Sequence, residues 1–272
     1  MNLPLAVIIV VAAAAVALLL MAVVRRQGSG RLLAEATRGT PMIMMVSTAF
    51  AVLLAFVTFA SFQTYNGAKG GARSEAVAVM EMFRTAALFP PQERDALRAD
   101  FICYGRAVAS QEWPAMRAGG SSPVVERWIA AYRDAFGNLG LQSPREQIAL
   151  QEVLAEARNR TDGRRERLAQ ATSSVPLPLW VVLMLGGGVA VALQLSMADR
   201  RERFAVQGAM IAGVAAVVAA GLVLVYFLDH PYQRHTGDIA PVEMRETLVM
   251  MHAQAPGFDL PCRLDGRPSA GS

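Results

Sequence analysis

The residues of this chain that could do chemistry are few and scattered. Three histidines, His230, His235 and His252, and two cysteines, Cys103 and Cys262, are the groups able to ligate a soft metal or act as nucleophiles. A zinc site needs three or four converging ligands. Only His230 and His235, flanking Pro231-Tyr232 with Asp229 beside them, lie near one another, and that spacing is not compact. No metal and no cofactor are expected, and the stretch reads as a tail that caps a helix end at the membrane interface. Cys103 and Cys262 would pair if they shared an oxidising face; the sequence leaves this open. No phosphate-cradling GxxxxGK[ST], no GxSxG elbow and no HExxH occurs, so the motifs of nucleotide, serine-hydrolase and zinc-protease chemistry are missing. Asn159-Arg160-Thr161 fits a glycosylation sequon by pattern, and the Glu/Arg alternation over 162–167 reads as a solvated helix face. No catalytic residue is assigned, and an enzyme is not expected.

What must position these residues is a membrane-bound frame. Of 272 residues 54% are hydrophobic and 18% charged, whereas a soluble domain carries about 25% charge and about 45–50% apolar residues. Mean hydropathy is +0.33. The formal charge of +4, without a clustered basic face, does not describe a nucleic-acid binder. Four runs are long and uncharged enough to cross a bilayer, which takes about 20 apolar residues: 3–24, 42–62, 175–197 and 204–228. The first has no basic n-region and is longer than a signal h-region, so it is read as a retained anchor.

The spans form two hairpins, residues 1–63 and 175–228. Between them lies a polar helical segment, 64–174, and a tail, 229–272, follows. Pro90-Pro91, Ser122-Pro123 and Ser143-Pro144-Arg145-Glu146 are helix-start signals, the last in capping-box order. They predict helices over about 68–89, 91–117, 123–137 and 144–171, the first of them able to continue the second span. Apolar stripes at helical spacing (Leu97, Phe101, Tyr104, Val108; Trp128, Ile129, Tyr132, Phe136; Val77, Met80 and Phe83 or Arg84) predict a packed bundle. The fold class expected is therefore all-α: an integral membrane protein with four transmembrane helices in two hairpins and a helical extramembrane bundle.

An even number of spans puts the polar segment and the tail on one face. Arg25, Arg26, Arg31 and Arg38 in the first short loop, with Arg200, Arg201 and Arg203 in the second, lean that face outward, while Arg160, Arg164, Arg165 and Arg167 before the third span argue the reverse. No span carries an ionisable residue in its interior, which argues against proton-coupled transport. A passive pore remains compatible, since a hydrophobic constriction can gate by dewetting. Val52, Phe56 and Ala60, four apart on the second span, are the candidate pore-lining residues. Gly186, Gly187 and Gly188, and the Ala209/Gly213 pair, are candidate helix-packing positions, within a subunit or between subunits.

The order of features resembles the bestrophin-like family of bacterial membrane proteins. The stretches that carry the resemblance are Ala51-Val52-Leu53-Leu54-Ala55-Phe56, Tyr104-Gly105-Arg106-Ala107-Val108 running into Glu112-Trp113-Pro114-Ala115-Met116, Arg164-Arg165-Glu166-Arg167-Leu168, Pro178-Leu179-Trp180 and Leu228-Asp229-His230-Pro231-Tyr232. Tyr232 stands where the family pattern has Phe, and Gly237 comes late. Bestrophins are pentameric anion channels lined by the second span and the helical part, which they hold in the cytoplasm; the resemblance implies the same plan here. The function read from the residues is a non-catalytic membrane scaffold, with Trp113, Trp128 and Tyr132 as contact residues if exposed; the alternative is an oligomeric, bestrophin-like passive anion channel. The partners expected are membrane lipid, further copies of the chain in a homo-oligomer and a protein docked on the helical segment, with no nucleic acid; the expected location is a bacterial plasma or inner membrane.

Overall fold

In the computed structural model the described residues are 2–27, 36–172, 174–233, 237–257 and 259–269. His235 and Arg31 lie outside them. The protein is all-α: α1 Leu3–Gln27, α2 Ala36–Thr85, α3 Pro91–Ala107, α4 Trp113–Arg117, α5 Pro123–Gly137, α6 Pro144–Ala169, α7 Leu177–Ser196, α8 Phe204–Asp229 and α9 Val242–Gln254. It is an integral membrane protein, with α1, α2, α7 and α8 each long and apolar enough to span. Residues 1–64 and 173–237 form one compact unit, and 65–172 with 238–272 form another.

In the membrane unit α1 packs chiefly along α8, although its neighbour in sequence is α2. The reason is the small-residue face of α8. A Cβ on Gly208 would lie 3.0 Å from Leu18 Cδ2, and Ile211 and Ala215 complete a core with Ala17, Met21, Leu195 and Ala198. A second core gathers Phe50 and Val57 of α2 with Val175, Leu183, Ala190 and Val225. Asp229, the last residue of α8, is buried. Its Oδ1 accepts hydrogen bonds from Ser174 N at 2.8 Å, Ser174 Oγ at 3.0 Å and Val175 N at 2.9 Å. The carboxylate thus fixes the chain that enters α7, supplying acceptors to donors no helix satisfies.

The helical unit is built from the Pro-marked starts. Ser143 Oγ accepts from Glu146 N at 3.2 Å and Glu146 Oε2 accepts from Ser143 N at 3.3 Å, closing the capping box. The stripe residues of α3 and α5 are buried, as are Met80 and Phe83, but Val77, at the edge of its stripe, is 53% exposed. Two features differ from expectation. The tail is not a simple interfacial cap: residues 242–254 form α9, which packs on α3. The segment 91–117 is not one α-helix, because a π turn at Val108–Glu112 interrupts it.

Candidate functional site

The second span presents two faces. Phe50, Val57 and Ser61 are buried, and Leu53 and Leu54 pack beside them; this spacing is one helical stripe. It is held tightly by glycines. A Cβ on Gly186 would fall 2.8 Å from Phe50 Cδ2, and one on Gly221 would fall 2.7 Å from Leu54 Cδ2. About half a turn round, Val52 and Phe56 are 64% and 69% exposed, and Phe59 and Ala60 are exposed with them. The three candidate lining residues therefore do share one open face of α2.

The small residues divide. Gly186 and Gly187 are close-approach positions; a Cβ on Gly187 would meet Val218 Cγ1 at 2.8 Å. Gly188 and Gly213 have open space where a side chain would stand, and Ala209 is exposed. Within the protomer the packing role on α8 falls instead to Gly208 and Gly221.

The helical unit contains a buried charge cluster that sequence reasoning missed. Glu75 accepts from Tyr104 Oη at 2.5 Å and from Arg167 Nε at 2.7 Å. Glu112 accepts from Arg164 Nη2 at 2.7 Å and from Arg167 Nη2 at 2.8 Å, and Arg164 also reaches Glu126 at 2.8 Å. Arg160 lies over the rings of Tyr104 and Tyr132, 5.4 and 5.6 Å from their centroids, within cation–π range. Glu75, Glu112, Arg160, Arg164 and Arg167 are all buried. Burial alone would raise the Glu112 carboxyl, but hydrogen bonds and charge from Arg164 and Arg167 hold it below the usual carboxylate range. Burial, reinforced by Glu75, pushes the Tyr104 phenol well above its usual range, so it stays a donor to Glu75. Every carboxylate here is committed to a guanidinium. The cluster holds the fold and offers no free acid or base.

Two Gly-x-x-x-charge repeats set this cluster up. A Cβ on Gly71 would stand 2.7 Å from Gly163 O, and one on Gly163 would stand 2.7 Å from Glu75 N. The backbones of α2 and α6 touch there, and one turn further on Glu75 meets Arg167. The matched spacing Gly71-x3-Glu75 and Gly163-x3-Arg167 was the signal in the sequence.

Trp113, Trp128 and Tyr132 are 3%, 4% and 1% exposed, so they are core residues. Trp113 Nε1 donates to Ile239 O at 2.6 Å and Trp128 Nε1 to Gly266 O at 2.7 Å. Cys103 and Cys262 form a disulfide, which takes Cys262 out of any ligand set. Among the described residues no group of three His, Cys, Asp or Glu side chains could hold a metal ion.

A groove of about 620 Å³ is bordered by Asp95, Asp100, Pro256 and Asp259. Burial pushes the Asp100 carboxyl up to about 6. Between its ordinary pKa and that value the folded chain keeps a proton that the unfolded chain gives up, so stability falls as the pH rises through that window and stays lower above it. Asp100→Asn removes the cost. It should raise stability at pH 7.5 by roughly 1 kcal/mol, allowing for solvent screening, and flatten the dependence between about pH 4 and 6. Thermal melts across that range are the check; an unchanged melting temperature at pH 7.5 would refute the assignment.

Similarity to known proteins agrees with this architecture. Among curated proteins no sequence matches significantly. The structure of a bacterial Bestrophin homolog from Klebsiella pneumoniae superposes with a TM-score of 0.68 at 14% identity, covering 94% of this chain and 100% of that one. A variant of that homolog superposes with a TM-score of 0.69 at 12% identity, covering 93% and 98%. At such identities the likeness concerns the fold. The sequence itself matches the Bestrophin-like domain over residues 7–237, a stretch that takes in most of the first span, the other three, the charge cluster and Asp229, and the chain therefore belongs to the bestrophin-like family.

Proposed function

We propose that the chain assembles with further copies of itself into a passive anion pore lined by the Val52/Phe56/Ala60 face of α2. The observation that carries the reading is that face: a row of apolar side chains, two of them more than 60% exposed, on the second span of a bestrophin-like chain. In an assembly about a central axis such a row would form a narrow apolar ring that wets and dewets. The spans hold no ionisable residue over their interiors, which suits passive flow and not proton-coupled transport. Gly188, Ala209 and Gly213, open in the protomer, are suited to close helix contact between copies. Exposed Arg26, Arg201 and Arg203 would raise the local anion concentration at the mouth formed by the short loops.

The scaffold reading loses ground for a specific reason. Its expected contact residues, Trp113, Trp128 and Tyr132, are spent inside the bundle. The test of the pore is direct. Purified protein in planar bilayers should carry chloride current, and Phe56→Ala, by widening the ring, should change the unitary conductance by roughly twofold or more. Silence over a wide range of voltages and anions overturns the proposal.

A further inference from the structure

We infer that the helical unit lies on the non-cytoplasmic side of the membrane, in an oxidising compartment, with the two short loops in the cytoplasm. The inference stands independently of the pore reading and departs from the cytoplasmic placement that the family resemblance implies.

Connectivity comes first. The helical unit is assembled from 65–172 and 238–272. The spans α7 and α8 separate these stretches, so both lie on one face, and the loops after α1 and α7 lie on the other. Those loops are short, the class for which the positive-inside bias holds. Residues 25–41 carry Arg25, Arg26, Arg31 and Arg38 against Glu35, and 197–203 carry Arg200, Arg201 and Arg203 against Asp199 and Glu202. Arg200 also donates to Arg25 O and Arg26 O at the end of α1, but Arg26, Arg201 and Arg203 point outward. The opposing signal was the arginine run before α7. Arg160, Arg164 and Arg167 of that run are buried, and Glu75, Glu112 and Glu126 take up Arg164 and Arg167. Their presence is explained by the core of a long segment, where charge counting carries little weight.

The second observation is the Cys103–Cys262 bond, which joins residues 159 apart and uses both cysteines of the chain. It is part of the fold of this unit. Both cysteines are buried. Around the bond, Gln111 Nε2 donates to Asp265 O at 3.2 Å and Trp128 Nε1 to Gly266 O at 2.7 Å. Gly266 has φ +77° and lies so close to Ala107 that a Cβ would stand 2.2 Å from its backbone N. The tail is thus seated on α3 at the bond. Structural disulfides persist in oxidising compartments and are rare in the cytosol. Loop charge and disulfide are independent, and both place this unit outside.

The test uses the full-length chain with its native cysteines in a bacterial host. Alkaline phosphatase, which needs its own disulfides, and green fluorescent protein are fused in turn after Ser272. Separately, thiols in intact cells are trapped by acid quenching and probed with a maleimide of high mass before and after reduction. An active phosphatase fusion, a dark fluorescent fusion and mass addition only after reduction are expected. A bright fluorescent fusion with inactive phosphatase, or mass addition without reduction, overturns the inference, and either result alone suffices.

Discussion

Glu112→Ala is expected to destabilise the helical unit by about 3–5 kcal/mol, the usual cost of stripping one partner from a buried ion pair. Glu112 is fully buried and accepts from two guanidiniums. Its loss leaves Arg164 with Glu126 alone and halves the anionic partners of the fully buried Arg167. Arg164 can lean further on Glu126, but Arg167 is 0% exposed and has Glu75 as its remaining anion. At roughly 2–4 °C per kcal/mol, the melting temperature of the detergent-solubilised protein should fall by on the order of 10 °C. Glu112→Gln, which keeps one acceptor oxygen but not the charge, should fall between. The pH dependence has a definite sign. The Glu112 carboxyl is depressed in the folded chain, so its contribution is complete above the ordinary Glu range and is lost as the pH falls through the lower, folded value. Glu112→Gln should therefore flatten the acid limb of the stability profile. A wild-type melting temperature in Glu112→Ala would refute the role of the cluster.

The frame of this molecule is written in its sequence far more plainly than the cluster at its centre. An uncharged run of about 20 residues has one comfortable environment, so α1, α7 and α8 are legible at once, and proline at the first turn marks α3, α5 and α6. The tail helix α9 was not legible. It buries only a narrow stripe, Met244, Thr247 and Met251, while Val249 and Met250 face out, so its pattern shows no clean apolar face. The π turn at 108–112 adds a residue to a helical turn, and no residue type announces it. Arg160, Arg164 and Arg167 do sit at the spacing of one helix face, yet with Glu and Arg alternating around them the face looks solvated. Their partners Glu75 and Glu112 come from elsewhere in the chain; the matched Gly-x3-charge spacing points to Glu75 with Arg167, and nothing comparable marks Glu112. The exposed face of α2 was readable because Val52, Phe56 and Ala60 share a stripe; which stripe packs inside the protomer became clear only from where Phe50 and Leu54 find glycines.

Those glycine contacts lead to the second large effect, at Gly71 and Gly163. In a helix that touches nothing, Gly→Ala stabilises by about 1 kcal/mol through propensity alone. Here the sign should reverse. A methyl on Gly163 would stand 2.7 Å from Glu75 N and 2.9 Å from Gly71 O, and one on Gly71 would stand 2.7 Å from Gly163 O and 2.8 Å from Arg167 N. These are backbone atoms and cannot swing aside as a flexible side chain could. The helices α2 and α6 must part, and overpacking of this kind costs about 1–3 kcal/mol. Parting them also stretches the Glu75–Arg167 bond one turn away, so the loss for either Ala variant should reach roughly 3 kcal/mol, with the charge pair contributing. The two positions share one contact, so their effects should not add. Once one methyl has separated the helices, the second meets less resistance, and Gly71→Ala/Gly163→Ala should cost clearly less than the sum of the singles. Thermal or denaturant unfolding of the three variants decides the matter. Stabilisation by either single substitution, or simple additivity in the double, would mean that α2 and α6 do not cross here as closely as the charge pair requires.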